Sequence, residues 1–117
     1  MKAEQLATLE IVWHEDLIVA ELNGEIDRSN ADDLGESLTK SAATARACIV
    51  DLSGLTYLDS AALTMLHRLA QQSKPLHLVA PTGSRAIRLI EIGGLDTVLA
   101  THERREDALA AAALTGD

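Results

Sequence analysis

Hydrophobic residues near the start of the chain recur with the period of strands. In the segment TLEIVW, Leu9, Ile11 and Trp13 occupy every second position, which predicts a strand with one buried face. The run LIVAEL, residues 17–22, is apolar almost throughout and predicts a second, deeper strand that pairs with the first as a hairpin. The dipeptide Asn23-Gly24 is expected to end that strand.

The following stretch, SNADDLGESLTKSAA, changes to helical spacing. Its apolar stripe consists of Ala31, Leu34, Leu38 and Ala42. Ser29 and Asp32 form a capping-box pattern, which predicts where the helix begins. The short apolar run ACIVDL, residues 47–52, then predicts a central strand, and SGLTYLD after it predicts a loop.

The second half of the chain repeats the alternation of helix and strand. From Ser60 a helix is predicted that Lys74-Pro75 would stop, followed by the strand LHLVA, residues 76–80. A third helix follows, with Thr82 and Ser84 as candidate caps and Gly93-Gly94 as its end. A weak strand at 97–100 and an alanine-rich helix complete the pattern.

This order of elements predicts an α/β sandwich that forms a single domain over residues 1–117. We expect a mainly parallel, mixed sheet of about five strands that opens with a β-hairpin and is covered by about four helices. In such sheets the loops at the carboxyl ends of the strands gather at one edge and carry functional groups. Residues 23–27, 53–60 and 81–84 are the three loops expected there.

Composition excludes several classes of function. Ten basic and eighteen acidic residues give a formal charge of −8, which argues against a nucleic-acid partner. The N-terminal segment lacks the apolar region of a signal peptide, and no apolar run is long enough to cross a bilayer, so a cytoplasmic protein without membrane insertion is expected. With no Phe, one Trp and one Tyr, the core must be aliphatic, and the single Cys48 is interpreted as a small buried hydrophobe.

Ser60 stands at a position where a helix begins and directly follows Asp59. The free N–H groups and the positive end of the helix dipole would stabilise a phosphate on this serine. Asp59 beside it and Asp27, expected across the loop edge, would add negative charge, so a phosphate would favour release of a docked partner. The simpler interpretation is that Asp59 only caps the helix.

Ala61 and Met65 lie off the main apolar stripe of this helix. They could form a small exposed apolar surface beside Ser60 that suits a partner. The alternative is that Met65 packs against Leu69 or a neighbouring helix.

The sequence gives little support for a catalytic or a metal site. Asp27, Asp51 and Asp59 could form a carboxylate pair or hold Mg²⁺, but they lack further ligands, and loop solvation and capping explain them better. Asp27 could instead hold a loop or orient the Ser60 hydroxyl. The four histidines are scattered, and neither a P-loop nor a G-x-S-x-G motif is present. No enzymatic activity, metal or cofactor is therefore expected.

Three stretches of the chain resemble the STAS domain family, in its anti-sigma-factor antagonist type. They are IVAELNGEIDRSNADDL, IVDLSGLTYLDSAALTML and LHLVAPTGSRAIRLIEIGGLDTVL, which together span nearly the whole chain. The resemblance implies a bacterial regulator of transcription whose partner is an anti-sigma factor that is also a serine kinase. Binding of the unmodified antagonist would free the sigma factor, phosphorylation of Ser60 would end the complex, and a serine phosphatase would restore it.

The same resemblance implies roles for the residues around Ser60. Asp27 matches the aspartate of the second-strand turn, Asp59 matches the acidic neighbour of the acceptor, and Ala61, Thr64 and Met65 join them in the implied partner-binding surface. The family pattern D-S-[ST]-G has a glycine two residues after the serine, whereas this chain has Ala62. A STAS partner module that is never phosphorylated is therefore an alternative.

Two further functions are implied by relatives within the resemblance. Some similar STAS proteins are accessory subunits docked on the ATPase of an ABC-type lipid transporter. Weak nucleotide binding has been suggested for others, and Thr82 and Ser84 would be the candidate residues here. The absence of a Walker-type loop argues against nucleotide binding.

Overall fold

The computed structural model describes residues 6–72 and 74–114, which form one five-stranded sheet with helices on both faces. The elements are β1 (Ala7–His14), β2 (Leu17–Ile26), α1 (Ala31–Ser41), β3 (Ala47–Leu58), α2 (Ser60–Ala70), β4 (Leu76–Val79), α3 (Arg85–Ile92), β5 (Ala100–His102) and α4 (Arg105–Ala113). A short 3₁₀ turn, Leu95–Thr97, precedes β5. The predicted order of strands and helices is confirmed.

The strands lie side by side in the order in which they occur along the chain. β1 and β2 form the predicted antiparallel hairpin, and the pairs β2–β3, β3–β4 and β4–β5 are parallel. Each parallel connection passes through a helix, as crossover geometry requires. The predicted fold class, a mainly parallel mixed sheet that opens with a hairpin, is confirmed.

The two faces of the sheet bury separate aliphatic clusters. One face packs against α1, α2 and α3, with Leu38, Leu66 and Ile90 as fully buried contributions from these helices. Of the described helices, only α4 packs against the other face, where Ala108 and Ala112 meet the sheet. Cys48 is buried in the first cluster, and burial raises the pKa of its thiol to about 12, so it behaves as the small hydrophobe that was predicted.

β2 and β3 are longer than the sequence pattern predicted. Asn23-Gly24 does not end β2, which continues to Ile26, and the predicted loop SGLTYLD belongs to β3 as far as Leu58. The two extensions pair with each other through two register shifts. Gly54 permits this close pairing, because a Cβ at that position would overlap the side chain of Asn23.

The helix starts agree with the predictions at α2 and α3 but not at α1. Asp59 caps α2, and the Ser84 side chain accepts a hydrogen bond from the Ile87 N–H at the start of α3. The capping box of Ser29 and Asp32 is wrong. The N-cap residue of α1 is Asn30, whose side chain makes no capping bond because it is bonded to the Asp27 N–H and the Glu25 carbonyl. The Ser29 hydroxyl donates to Asp27, so it does not cap the helix either.

Two boundaries and one burial assignment also differ from the sequence pattern. α2 ends at Ala70, before Lys74-Pro75, and the last strand begins at Ala100, because residues 95–97 form the 3₁₀ turn. Trp13 lies on the same face of β1 as Leu9 and Ile11 but is not buried there, since it is 48% exposed near the end of an edge strand.

Candidate functional site

The start of α2 borders an open depression of about 550 Å³ at the carboxyl-end edge of β2 and β3. Its lining residues are Asp27, Arg28, Ser29, Tyr57, Asp59, Ser60 and Ala61. The structure thus brings Asp27, Asp59, Ser60 and Ala61 together, although the first lies more than thirty positions from the others in the sequence. The topology explains this proximity, because β2 and β3 are parallel neighbours and therefore end at the same edge.

Ser60 is the first residue of α2 and its side chain is exposed. The Asp59 carboxylate accepts a hydrogen bond from the Ala61 N–H at 2.9 Å, and the Asp59 carbonyl accepts from the Ala62 N–H at 3.0 Å. The Ser60 carbonyl accepts from the Thr64 hydroxyl at 3.1 Å. Among the described residues no hydrogen bond engages the Ser60 hydroxyl, so the backbone is fixed while the hydroxyl faces solvent.

Asp27 organises the other wall of the depression. Its Oδ1 accepts from the Ser29 N–H at 2.8 Å and from the Ser29 hydroxyl at 2.5 Å, and its own N–H donates to Asn30 Oδ1 at 2.9 Å. The bond from the Ser29 hydroxyl, followed by that from the Ser29 N–H, holds the pKa of Asp27 below its ordinary value. Of the two roles predicted for Asp27, these contacts are those of a residue that holds a loop.

Met65 does not contribute to an exposed apolar surface. Its side chain is 5% exposed and packs against α1, where a Cβ added to Gly35 would lie 3.1 Å from Met65 Cγ. Met65 therefore packs against a neighbouring helix, which was the alternative considered for it. Ala61 and Thr64 remain at the surface on the Ser60 side of α2.

Asp51 lies apart from the other two aspartates and has a structural environment. It is 3% exposed, and its carboxylate accepts from Arg105 Nε at 3.0 Å, from Arg105 Nη2 at 2.9 Å and from the Ser53 hydroxyl. Arg105 also contacts Glu21 at 3.2 Å. The triad ties α4 to the sheet, so a carboxylate pair that includes Asp51 does not form at the depression.

Thr82 and Ser84 are both engaged within the fold. The Thr82 N–H donates to Glu103 at 3.1 Å, and the Thr82 hydroxyl donates to the same carboxylate and lowers the pKa of Glu103. The Ser84 side chain caps α3. Nucleotide binding by these two residues stays a prediction, and their described contacts give them a different role.

Sequence reasoning missed three residues that line the depression, namely Arg28, Ser29 and Tyr57. A signal for them was present, because Arg28 and Ser29 directly follow Asp27, and Tyr57 precedes Asp59 by two positions. Arg28 brings a positive charge to an otherwise acidic site, and no described residue forms a salt bridge with it.

Two of the histidines are close together in the fold. His77 Nδ1 lies 3.1 Å from His102 Nε2, because β4 and β5 are adjacent. Burial, with a smaller contribution from His102, lowers the pKa of His77. In the described part of the chain no group of three or more His, Cys, Asp or Glu side chains is arranged to hold a metal ion.

Membrane association by a spanning helix finds no support in the described elements. None of the helices within residues 6–72 and 74–114 combines the length and the apolar character that a bilayer crossing demands.

Comparison with known proteins identifies similar sequences and folds. The model of a family described as "Mlab, STAS domain" matches residues 10–101, which is most of the chain. No curated protein sequence matches.

Several solved structures share the fold. An anti-sigma factor antagonist from Mycobacterium paratuberculosis is 26% identical, with a TM-score of 0.85 over 97% of this chain and 99% of that chain. The unphosphorylated anti-sigma factor antagonist SpoIIAA, from Bacillus, is 14% identical, with a TM-score of 0.72 over 94% and 100% of the two chains. A variant of RsbS from Moorella thermoacetica is 22% identical, with a TM-score of 0.71 over 90% and 94%.

Proposed function

From the premise that the chain belongs to the STAS domain family, we propose that it is an anti-sigma-factor antagonist switched by phosphorylation of Ser60. In this proposal the unmodified protein binds an anti-sigma serine kinase in the cytoplasm and thereby releases a sigma factor. It acts as a binding partner and a substrate and not as an enzyme. A serine phosphatase resets it.

The observation that carries the proposal is the exposed hydroxyl of Ser60 at the first position of α2, which no described residue engages in a hydrogen bond. A kinase needs the serine oxygen free to attack the γ-phosphorus of ATP, with a backbone held in one position. The Asp59 cap fixes the backbone, and the open depression gives a partner access to the oxygen. The exposed Thr64 and the half-buried Ala61 lie beside Ser60 and extend the surface on which the partner would rest.

A phosphate on Ser60 would change the charge of this surface sharply. It would add about −1.5 to −2 charges near the carboxylates of Asp27 and Asp59, with Arg28 as the cation in the same depression. The positive end of α2 stabilises the dianion, while the acids repel any acidic group of a docked partner. The expected outcome is a stable modified protein that no longer fits its partner.

The alanine that replaces the family glycine does not obstruct this surface. Ala62 is 1% exposed and belongs to the core cluster, and its methyl group is not among the atoms that line the depression. A kinase that approaches Ser60 would therefore contact Ala61 and not Ala62. This placement favours the phosphorylated switch over the module that is never modified.

The similar structures support the same proposal. The relative from Mycobacterium paratuberculosis is an anti-sigma factor antagonist, and SpoIIAA has been solved in an unphosphorylated and a phosphorylated form. A fold of this kind therefore accommodates a phosphate in at least one antagonist.

The direct test is to incubate the protein with its cognate anti-sigma kinase and Mg-ATP and to measure the intact mass. We expect one phosphoryl group per chain, mapped to Ser60, and none on the Ser60→Ala variant. Ser29 is the internal control, because it is exposed in the same depression but its hydroxyl is bonded to Asp27. An unmodified protein, or a phosphate on Ser29, would contradict the proposal.

Measuring the affinity for the kinase tests whether a charge at position 60 weakens binding, as a switch requires, or leaves binding unchanged. Ser60→Ala should bind as the unmodified protein does, whereas Ser60→Asp should bind more weakly because it places a charge in the depression. Equal affinity of both variants would favour the partner module that is never switched.

The name of the matching family supports a second candidate function. That model is described as Mlab and not as an anti-sigma antagonist, which keeps open an accessory subunit docked on the ATPase of an ABC-type lipid transporter. Stable co-purification with an ABC ATPase, together with no binding to the anti-sigma kinase, would decide for this alternative.

A further inference from the structure

The sheet has two edge strands that differ in how far they are protected from pairing. β5 has three residues, which is short enough to offer little template for another strand. β1 has eight residues, and its pairing with β2 from Ala7 to His14 shows no bulge. Its sequence, ATLEIVWH, contains no Pro, Lys or Arg, the residues that commonly blunt an edge.

The backbone of β1 presents hydrogen-bonding groups to the edge that no described strand covers. The Glu25 N–H donates to the Leu6 carbonyl at 3.0 Å, so even-numbered residues of this segment direct their polar backbone groups toward β2. The N–H and C=O groups of Leu9, Ile11 and Trp13 consequently point away from β2. They form a regular row that a further antiparallel strand would satisfy.

The side chains beside this row are unusually apolar for a surface. Val12 is 43% exposed and Trp13 is 48% exposed, and they are neighbours on opposite faces of the strand. Trp13 is the only tryptophan of the chain. Exposed aromatic residues next to unpaired backbone groups are typical of a surface that binds another strand.

We propose that β1 pairs antiparallel with β1 of a second copy of this chain, with Val12 on the two-fold axis. In that register the two Val12 side chains meet, Ile11 lies opposite Trp13, and Glu10 lies opposite His14. The backbone pattern fits, because Ile11 and Trp13, which face the edge, become a hydrogen-bonded pair. The result is one continuous ten-stranded sheet across the dimer.

Side-chain pairing selects this register among those that the backbone allows, because it places each Glu10 carboxylate opposite an imidazole that can donate a hydrogen bond. An axis at Glu10 would set two carboxylates directly opposite each other, which is unfavourable. An axis at Ile11 would place Glu10 opposite Val12 and His14 opposite Thr8, so Glu10 and His14 would not pair with each other. Only the axis at Val12 gives each Glu10 a His14 of the other copy, twice in each dimer.

The expected association is weak. Pairing through one strand buries less surface than stable dimers use, so the dimer should form only at high protein concentration. Each copy also carries a formal charge of −8, and the measurement belongs at physiological salt, where the screening length is about 8 Å. This inference is independent of the proposed function, because it requires only the protein itself.

Sedimentation equilibrium of the full chain over a concentration series tests the proposal. The average mass should rise from the monomer value of 12.5 kDa toward twice that value, and Trp13 fluorescence should shift to the blue over the same range. A mass that stays at the monomer value up to about 1 mM overturns the proposal.

Substitutions at the axis test the register. Val12→Lys sets two like charges in contact and should weaken association at least about tenfold, although it lowers the net negative charge of each copy. Val98→Lys is the matched control, since Val98 is exposed away from β1, and it should leave association unchanged. An equimolar mixture of Val12→Lys and Val12→Glu should recover the dimer as a heterodimer. Unchanged or tighter self-association of Val12→Lys, or no recovery in the mixture, overturns the register.

Discussion

Three aspartates in this protein make the same backbone contact, yet only one leaves a serine free. Asp27, Asp51 and Asp59 each accept a hydrogen bond at Oδ1 from the N–H of the residue two positions later, at 2.8, 3.0 and 2.9 Å. At the first two sites that residue is a serine, Ser29 or Ser53, and the carboxylate takes its hydroxyl as well. At Asp59 that residue is Ala61, which has no hydroxyl to offer.

The difference shows how spacing decides whether a serine hydroxyl is held by a neighbouring carboxylate or left exposed. Ser60 lies one position after Asp59, where the turn geometry does not direct its hydroxyl to the carboxylate. A hydroxyl bonded to a carboxylate is restrained by that bond, whereas a free one can adopt the geometry that phosphoryl transfer requires. The comparison therefore singles out Ser60 among the three serines that lie near these aspartates.

The largest effect on stability is expected where the turn is buried. Asp51→Ala removes the main partner of the partly buried Arg105 guanidinium, and the free energy of unfolding should fall by about 3 kcal/mol. Asp27→Ala is the matched control, because Asp27 accepts the same two bonds from a serine at the solvent-exposed depression, and it should lose much less. Urea unfolding measures both. Equal losses would mean that burial and Arg105 do not distinguish the two turns.

An intermediate effect is expected at the turn that begins α2. Asp59→Ala removes the side-chain cap and should lower the free energy of unfolding by about 1 kcal/mol, while Asp59→Asn should retain most of it. Ser84→Ala, which removes the cap of α3, should cost a similar amount but leave Ser60 phosphorylation unchanged.

Two substitutions of Asp59 separate the contribution of its helix cap to Ser60 phosphorylation from the contribution of its charge. If Asp59→Asn is phosphorylated at the normal rate and Asp59→Ala is not, the role of Asp59 in the switch is to fix the backbone. If both variants are phosphorylated equally slowly, the role of Asp59 depends on its carboxylate charge.

Local patterns were enough to predict the order of elements, because strand and helix periods alternate clearly and each change coincides with a polar or glycine-containing turn. The cap at Asp59 and the exposure of Ser60 followed from the same local reasoning. The position of Asp27 beside them followed from the topology, since parallel neighbouring strands end at one edge.

What the sequence could not reveal depends on contacts between distant segments. The extension of β3 exists because β2 extends beside it, and Gly54 is recognisable as a pairing residue only once Asn23 is its neighbour. The capping box failed because Asp27, outside the pattern, holds the Ser29 hydroxyl. For Met65 the sequence left open an exposed position beside Ser60 and packing against a neighbouring helix, and the space that Gly35 leaves on α1 decided its burial.

The smallest effect concerns the titration of Asp27, and it tests the hydrogen bond on which the comparison rests. The Ser29 hydroxyl and N–H lower the pKa of Asp27 in the folded protein below the value of about 3.9 in the unfolded chain. The stabilisation from this turn is therefore fully present above about pH 3.9, and it is lost as the pH falls through the lowered folded value.

Ser29→Ala removes the larger of the two bonds, so the pKa of Asp27 should move back toward its ordinary value while the bond from the backbone N–H retains part of the shift. Ser60→Ala should leave it unchanged, because no described hydrogen bond joins the Ser60 hydroxyl to Asp27. Titration of the Asp27 carboxyl carbon by NMR in the three proteins measures this. A shift of the Asp27 pKa in Ser60→Ala would mean that the Ser60 hydroxyl is held by Asp27 in solution, and the distinction between the two serines would then be lost.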